Sequence, residues 1–378
     1  MGGTVGPALL PKAFNLRQLD PTNEESGPLV LNTETSLGGM NMSARLVDLV
    51  TLTTDELKQV SASFGFTRSG EPTLLGEGRI ASNVMCTTKE HGNIVIRVYP
   101  GTYGKSKLAF EAEALNHAAE NGLPVPKPLQ LVANLTRASS SSFVAELPGK
   151  YVLIYKAIEG STIDHDELSP KIASQAGQLL AKHLESAVAF EPRSARLEGD
   201  MQFIAGLLRA RREANADFAA LPCVNQMEEL LINPDFRTAL DRTPDGLVHA
   251  DYFFENVLQD EQGNFTGLID FGDAYYGKVL NDVVIGAAEF SIDQDDNWNL
   301  ESFRSFVIEC APFLRKSSAT SGLCIDLLSA NCVRFAVYTL PLIPRPAAEN
   351  PYVKRFEKLQ EPEFRQAIKH IFDDAIQV

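Results

Sequence analysis

Basic residues are scarce: 34 Lys and Arg stand against 49 Asp and Glu, a formal net charge of −15 over 378 residues. So acidic a chain repels the phosphates of nucleic acid and of anionic membranes, and neither is expected as a partner. Paired cysteines are missing as well. Cys86, Cys223, Cys310, Cys324 and Cys332 are odd in number, and none sits in a C-x-x-C pair. A reducing, cytoplasmic compartment fits this pattern better than a disulfide framework. His91, His117, His165, His183, His249 and His370 are scattered without H-E-x-x-H spacing, which argues against a zinc site. No long apolar run occurs. The longest, near 321–343, is broken by Asp326 and Arg334, and a bilayer span needs about 20 apolar residues. The opening MGGTVGPALLPKAF has neither the basic start nor the apolar core of a secretory signal, and Gly6 breaks the myristoylation pattern.

What is present is ordinary globular composition, 44% apolar and 22% charged, in a chain longer than one hydrophobic core usually serves. Two lobes are therefore expected. Residues 1–48, rich in Gly, Pro, Asn, Ser and Thr without sustained period, read as a poorly ordered tail. Thr53-Thr54-Asp55-Glu56 is a cap signal for a helix to about residue 64. β-Branched alternation over 73–99 predicts strands, followed by a helix over 105–121 that stops at Asn121-Gly122. The proline-rich stretch 123–128 must be extended, and further strands are expected near 128–134, 142–146 and 151–155. Beyond Glu159-Gly160 the pattern turns helical, over 166–189, 198–216, 224–232, 281–292, 300–313, 321–341 and 362–376. Only 247–271 interrupts it, with short apolar strands. The expected division is a small strand-rich lobe over 49–158, with its hinge at 153–158, and a larger helical lobe over 159–378.

One segment is far sharper than the rest. Leu247-Val248-His249-Ala250-Asp251-Tyr252-Phe253-Phe254-Glu255-Asn256-Val257-Leu258 is followed, after a turn at 260–264, by Gly267-Leu268-Ile269-Asp270-Phe271-Gly272-Asp273. Two adjacent short strands over 257–258 and 267–269 would bring Asn256 and Asp270 to one edge. Such a set meets the needs of phosphoryl transfer, where a carboxylate orients the attacking hydroxyl and oxygen ligands hold Mg²⁺ against the phosphates. Asp251 is the base in this reading, Asn256 the neutral metal ligand and Asp270 the charged one. Taken alone, His249 reads as a structural histidine. Asp273 reads either as a contact to a substrate amine or as a turn stabiliser, and Tyr252, Phe253 and Phe254 as pocket wall or core.

H-x-D-x-x-x-x-N followed by I-D-F-G resembles the aminoglycoside phosphotransferase and choline kinase superfamily, small-molecule relatives of the protein kinases. GLIDFGDAYYG, residues 267–277, is most similar to members acting on hydroxylated amino acids, such as hydroxylysine kinase and kinase-like homoserine kinase. The resemblance covers about 50–378, most strongly 247–282. It implies an α+β, protein-kinase-like fold of two lobes, with a small antiparallel sheet in the first lobe. It also implies ATP and Mg²⁺ as cofactors and a small-molecule hydroxyl acceptor. Carried onto this sequence, it makes Asp251 the catalytic base and Asn256 and Asp270 the metal ligands. His249 becomes the brace of the catalytic loop, and Asp282 a structural residue that ties down a following helix. Gly76, Gly78, Ser82 and Asn83 match the phosphate-covering hairpin, Arg97 stands where many kinases have Lys, and Glu111, or else Glu113, is its helix partner. Tyr155 and Ile158 fall in the hinge that meets adenine, while Tyr252, Glu255 and Asp273 fall where an acceptor would bind. The implied reaction is Mg²⁺-dependent transfer of the ATP γ-phosphate to a hydroxylated amino acid or amino alcohol. An antibiotic acceptor of the aminoglycoside type and a catalytically silent pseudokinase are the alternatives. A protein kinase is disfavoured, since no A-P-E-like segment follows residue 271.

Overall fold

The computed structural model describes residues 51–77, 81–132, 140–192, 201–342 and 346–377. The expected tail over 1–48, and Gly78 of the hairpin, lie outside them.

The first lobe starts with helix α1 (Thr54–Phe64), closed by a capping box between Thr53 and Glu56 and ended by Gly65 at φ 68°. Five antiparallel strands follow, β1 (Thr73–Glu77), β2 (Ser82–Thr88), β3 (Gly92–Pro100), β4 (Val144–Leu147) and β5 (Lys150–Lys156), in the order β1-β2-β3-β5-β4. Helix α2 (Lys105–Glu120) crosses between β3 and β4. Strand alternation decides which side chains meet which helix. Ile94, Ile96 and Val98 of β3 cluster with Val60 and Phe64 of α1. On the opposite face, Tyr99 and Leu153 pack under Leu108 and Ala112 of α2. Arg97 lies between Ile96 and Val98, so the pleat turns it toward α2. A helix on each face explains why β3 is buried from Ile94 through Tyr99. Each such aliphatic side chain contributes about 1.5–3 kcal/mol on burial.

The second lobe is mostly helical. It contains β6 (Ser161–Thr162), α3 (Pro170–Ala187), α4 (Met201–Ala214), α5 (Ala216–Ala219), α6 (Cys223–Ile232) and α7 (Pro234–Asp241). Four short strands follow, β7 (Asp245–Val248), β8 (Val257–Gln259), β9 (Phe265–Leu268) and β10 (Tyr275–Lys278). The chain ends in α8 (Leu280–Glu289), α9 (Leu300–Glu309), α10 (Ala311–Lys316), α11 (Ser321–Thr339), α12 (Pro351–Gln360) and α13 (Pro362–Gln377). Helix α11 is buried almost all round, as an axial helix must be when it is apolar on every face. It accounts for the apolar stretch near 321–343. Among the described residues no helix is long and apolar enough to cross a membrane.

Three elements differ from the pattern expected. The helix expected from 166 begins at Pro170, because Ser169 caps the Ile172 N–H and Pro fits the first helical position. The helix expected over 300–313 breaks at Cys310, and Pro312 opens α10. Of the strand expected near 128–134, the described part, 128–132, forms one bridge between Pro128 and Tyr155, since proline offers no N–H to a ladder.

Candidate active site

Strand β7 runs antiparallel to β10, with Val248 opposite Tyr275, and leads directly into His249. Strands β8 and β9 pair Val257 with Leu268, and the Ile269 N–H donates to the Asn256 carbonyl at 2.9 Å. Asn256 and the residue before Asp270 thus lie side by side on one edge.

The loop between β7 and β8 is held from beneath by Asp282, on the first turn of α8. Its carboxylate is fully buried and accepts the N–H groups of His249 at 2.7 Å and Ala250 at 2.8 Å. Ala250 has φ 70°, a region unfavourable to a side chain, and the two hydrogen bonds hold it there. The expectation for Asp282 was a tether for the following helix; the structure has it tether that helix to the loop. Asp282→Ala leaves two buried N–H groups unpaired and releases a strained residue. It should destabilise the protein by about 3 kcal/mol, read as a lowered urea midpoint.

His249 connects this loop to the next. Its Nε2–H donates to the Ile269 carbonyl at 3.0 Å, and its Nδ1 accepts the Asp251 N–H at 3.3 Å. That arrangement requires the neutral ring, and burial lowers its pKa accordingly. Asp251 is 2% exposed. Its Oδ2 accepts from Asn256 Nδ2 at 2.9 Å, whereas its Oδ1 is buried without a partner. Burial first, then the charges of Asp273 and Asp270, holds its carboxyl well above the usual carboxylate range. The Asn256 amide nitrogen also donates to the Asp251 carbonyl at 2.8 Å. With its nitrogen used twice, Asn256 has only Oδ1 to offer a cation.

Asp270 sits at φ 60°, ψ 62°, a left-handed conformation that Asp tolerates better than most residues. Its Oδ1 meets Arg97 Nη1 at 3.2 Å, and the same Nη1 lies 3.4 Å from Glu111 Oε1. Tyr99 donates its hydroxyl to Glu111 at 3.1 Å. Glu111, not Glu113, is the partner of Arg97: it is 1% exposed on the face of α2 that meets the sheet, while Glu113 is only half-buried. Arg97 therefore joins β3, α2 and the Asp270 loop, and so joins the two lobes.

The remaining expected positions fall as follows. Gly76 lies in β1, and Ser82 and Asn83 open β2 opposite Val98 and Arg97, with Asn83 Oδ1 buried and unpartnered. Tyr155 pairs with Val95 in the sheet, and burial pushes its phenol up to about 12. The neighbouring N–H groups of Lys156 and Ala157 bond to Lys127 and Asn93 carbonyls, each at 3.0 Å. Ile158 follows, with its side chain against Gly267 of β9. Asp273 is buried close enough to Asp251 for its charge to act there. Glu255 is half-buried, and burial and the charge of Glu289 push its carboxyl up to about 7. Glu289 itself is paired with Arg355 at 2.9 Å. Tyr252 corrects the expectation of an acceptor contact. It is 0% exposed, its hydroxyl donates to the Ala176 carbonyl at 2.9 Å, and its ring faces Phe290 and Phe306, so it belongs to the core. The Tyr99 hydroxyl on Glu111 had no local signal in the sequence, because the contact depends on how α2 lies over the sheet.

Among the described residues no three His, Cys, Asp or Glu side chains converge as a self-sufficient metal cage. Mg²⁺ needs none, since it commonly takes one or two protein oxygens and completes its shell with water and nucleotide phosphates. The Asp270 carboxylate and Asn256 Oδ1 are oxygen donors of the required kind.

A small antiparallel sheet joined to a helical lobe through an Arg–Glu–Asp cluster, beside a braced H-x-D loop, defines a protein-kinase-like fold of the kind that phosphorylates small molecules. The chain belongs to the phosphotransferase enzyme family, which matches residues 71–312, and its class is an ATP-dependent kinase acting on a hydroxyl of a small molecule. It is similar to the homoserine kinase of Methylobacillus flagellatus, 24% identical over 237 residues, 62% of this chain and 67% of the relative. It is also similar to the homoserine kinase of Beijerinckia indica subsp. indica, 23% identical over 300 residues, 78% of this chain and 89% of the relative. An amicoumacin kinase solved in complex with AMP-PNP and Ca²⁺ shares the fold with a TM-score of 0.58 at 14% identity, covering 83% of this chain and 92% of its own.

Proposed function

We propose that the protein transfers the γ-phosphate of Mg-ATP to the hydroxyl of a small hydroxylated amino acid or amino alcohol. The observation that carries this reading is the convergence of Asp251, Asn256 and Asp270 on one braced edge, facing Arg97 and Glu111 across the lobes. Asp251 orients the acceptor hydroxyl and takes its proton on the unpartnered Oδ1. Asn256 and Asp270 hold the metal, which when bound neutralises charge on the phosphates. Arg97, positioned by Glu111, meets phosphate oxygens, and the Ile158 backbone meets adenine. Gly76 near the end of β1, and Ser82 and Asn83 at the start of β2, belong to the segment that covers the phosphates. His249 and Asp282 keep the loop in shape. Glu255 and Asp273, acidic and beside the base, line the side of the acceptor site next to Asp251. The names of the relatives, homoserine kinases, support an amino acid acceptor.

The test is a mass-resolved panel of amino acids, amino alcohols and aminoglycosides, incubated with Mg-ATP. The expected result is a phosphomonoester on a small amino acid or amino alcohol. A product found only with aminoglycosides would move the acceptor to the antibiotic class. Glu111→Gln should raise KM for ATP about tenfold, by removing the charge that draws Arg97 toward α2 and leaving the guanidinium to Asp270, with a change of about 1.4 kcal/mol in binding. An ATP titration checks it, and an unchanged KM would remove Glu111 from the nucleotide site.

A further inference from the structure

Arg334 lies midway along α11, 5% exposed, and among the described residues it makes no ion pair and no hydrogen bond. Its Nε and Nη1 are buried without partners, and its guanidinium rests only on the rings of Phe335 at 5.3 Å and Tyr275 at 5.7 Å. Cation–π contact offsets a small part of the cost of burying a charge. An arginine kept in such a place without a carboxylate is the mark of a site for an external anion.

Its position ties it to the reaction. Tyr275 sits two residues beyond Asp273 and opposite Val248, on the strand that leads into His249 and Asp251. The Phe335 ring lies 5.4 Å from that of Phe253, two residues past Asp251. One helical turn before Arg334 is Asn331. It lines a small cavity with Glu289, Phe335, Tyr352 and Arg355, and its Oδ1 is also buried without a partner. Residues three apart on a helix are neighbours, about 5–6 Å between Cβ atoms. Here that places an orphan donor of positive charge beside an orphan acceptor. The pair has the polarity that an α-amino acid's carboxylate and ammonium would meet.

Resting on the phosphotransferase reading above, we propose that Arg334 binds the α-carboxylate of the acceptor while Asn331 Oδ1 accepts from its α-ammonium. The acceptor is then a zwitterionic hydroxy amino acid, not a carboxylate-free amino alcohol or an aminoglycoside. Arg334 sets specificity and takes no part in proton or phosphoryl movement.

Matched pairs that differ by one carboxylate test this: L-serine with ethanolamine, L-homoserine with aminopropanol, and hydroxylysine with its decarboxylated diamino alcohol. Binding is measured by calorimetry on the full chain with Mg-AMP-PNP, and phosphorylation by mass with Mg-ATP. At least one amino acid should bind about a hundredfold more tightly than its partner. Arg334→Met should erase that preference, Arg334→Lys should recover part of it, and KM for ATP should stay unchanged in both. The unliganded Arg334→Met protein should melt no lower than wild type, because an unpaired buried charge has been removed. A melting point several degrees lower would make Arg334 a structural staple and overturn the proposal. Equal binding within every pair, or binding of none, would overturn it as well. Phosphorylation of amino alcohols without preference would overturn it while the phosphotransferase reading stands. A carboxylate preference in binding without any phosphorylated product would do the reverse.

Discussion

Asp251→Asn should lower turnover by at least about a hundredfold, and by as much as about ten-thousandfold, the span of general-base contributions. The substitution is nearly isosteric, and the Asn256 amide keeps its hydrogen bond to the residue 251 carbonyl, so the loop and the fold should survive. What is lost is the only carboxylate oxygen in the loop that is buried and uncommitted, Oδ1. The raised pKa of Asp251, caused by burial and by Asp273 and Asp270, strengthens the case, because a carboxylate held above its usual range is a better proton acceptor once ionised. KM for ATP should change little, since the proposed role sets Asp251 against the acceptor rather than the nucleotide. A loss of less than about tenfold would remove Asp251 from the proton transfer.

Asp270→Asn should cost at least about a thousandfold in turnover, because metal stabilisation of phosphoryl charge supplies several kcal/mol and each 1.36 kcal/mol is tenfold. Asn is preferred over Ala because position 270 lies at φ 60°, which Asn tolerates better than Ala. The substitution removes one of the two carboxylates on Arg97 and leaves Glu111 in place. Calorimetry separates the metal role from this ion pair. ADP affinity with Mg²⁺ should fall toward its value without Mg²⁺, and affinity without Mg²⁺ should hold. An equal fall in both conditions would make Asp270 a structural partner of Arg97.

Local patterns carried most of the fold. The capping signal at Thr53 and Glu56, the alternation of β3 and the stop at Asn121-Gly122 each depend on neighbours in sequence. So did the juxtaposition of Asn256 and Asp270, because two short strands with a tight turn between them have few ways to pair. Two further helices lie outside the expected pattern although each carries a local signal. Helices α7 and α12 each open with Asn at the cap and Pro at the first position, Asn233-Pro234 and Asn350-Pro351. What could not be read was whatever depends on packing at long range. Tyr252 has the same local setting whether it faces a cleft or the core, and only the approach of α3 and α9 settles it. Glu111 and Glu113 differ by the rotation of α2 over the sheet. The role proposed for Arg334 and Asn331 rests on two guanidinium nitrogens and one amide oxygen that meet no partner among the described residues, which no spacing in the sequence reveals.

The most direct test of the central claim is the product itself. Purified protein, Mg-ATP and L-homoserine are incubated, and phosphorus NMR and mass spectrometry follow the transferred group, with Asp251→Asn in parallel. The account predicts a phosphomonoester on the acceptor hydroxyl, formed in step with ADP and nearly abolished in Asp251→Asn. ADP formed with inorganic phosphate alone across the whole acceptor panel, or ester formation undiminished in Asp251→Asn, would contradict it.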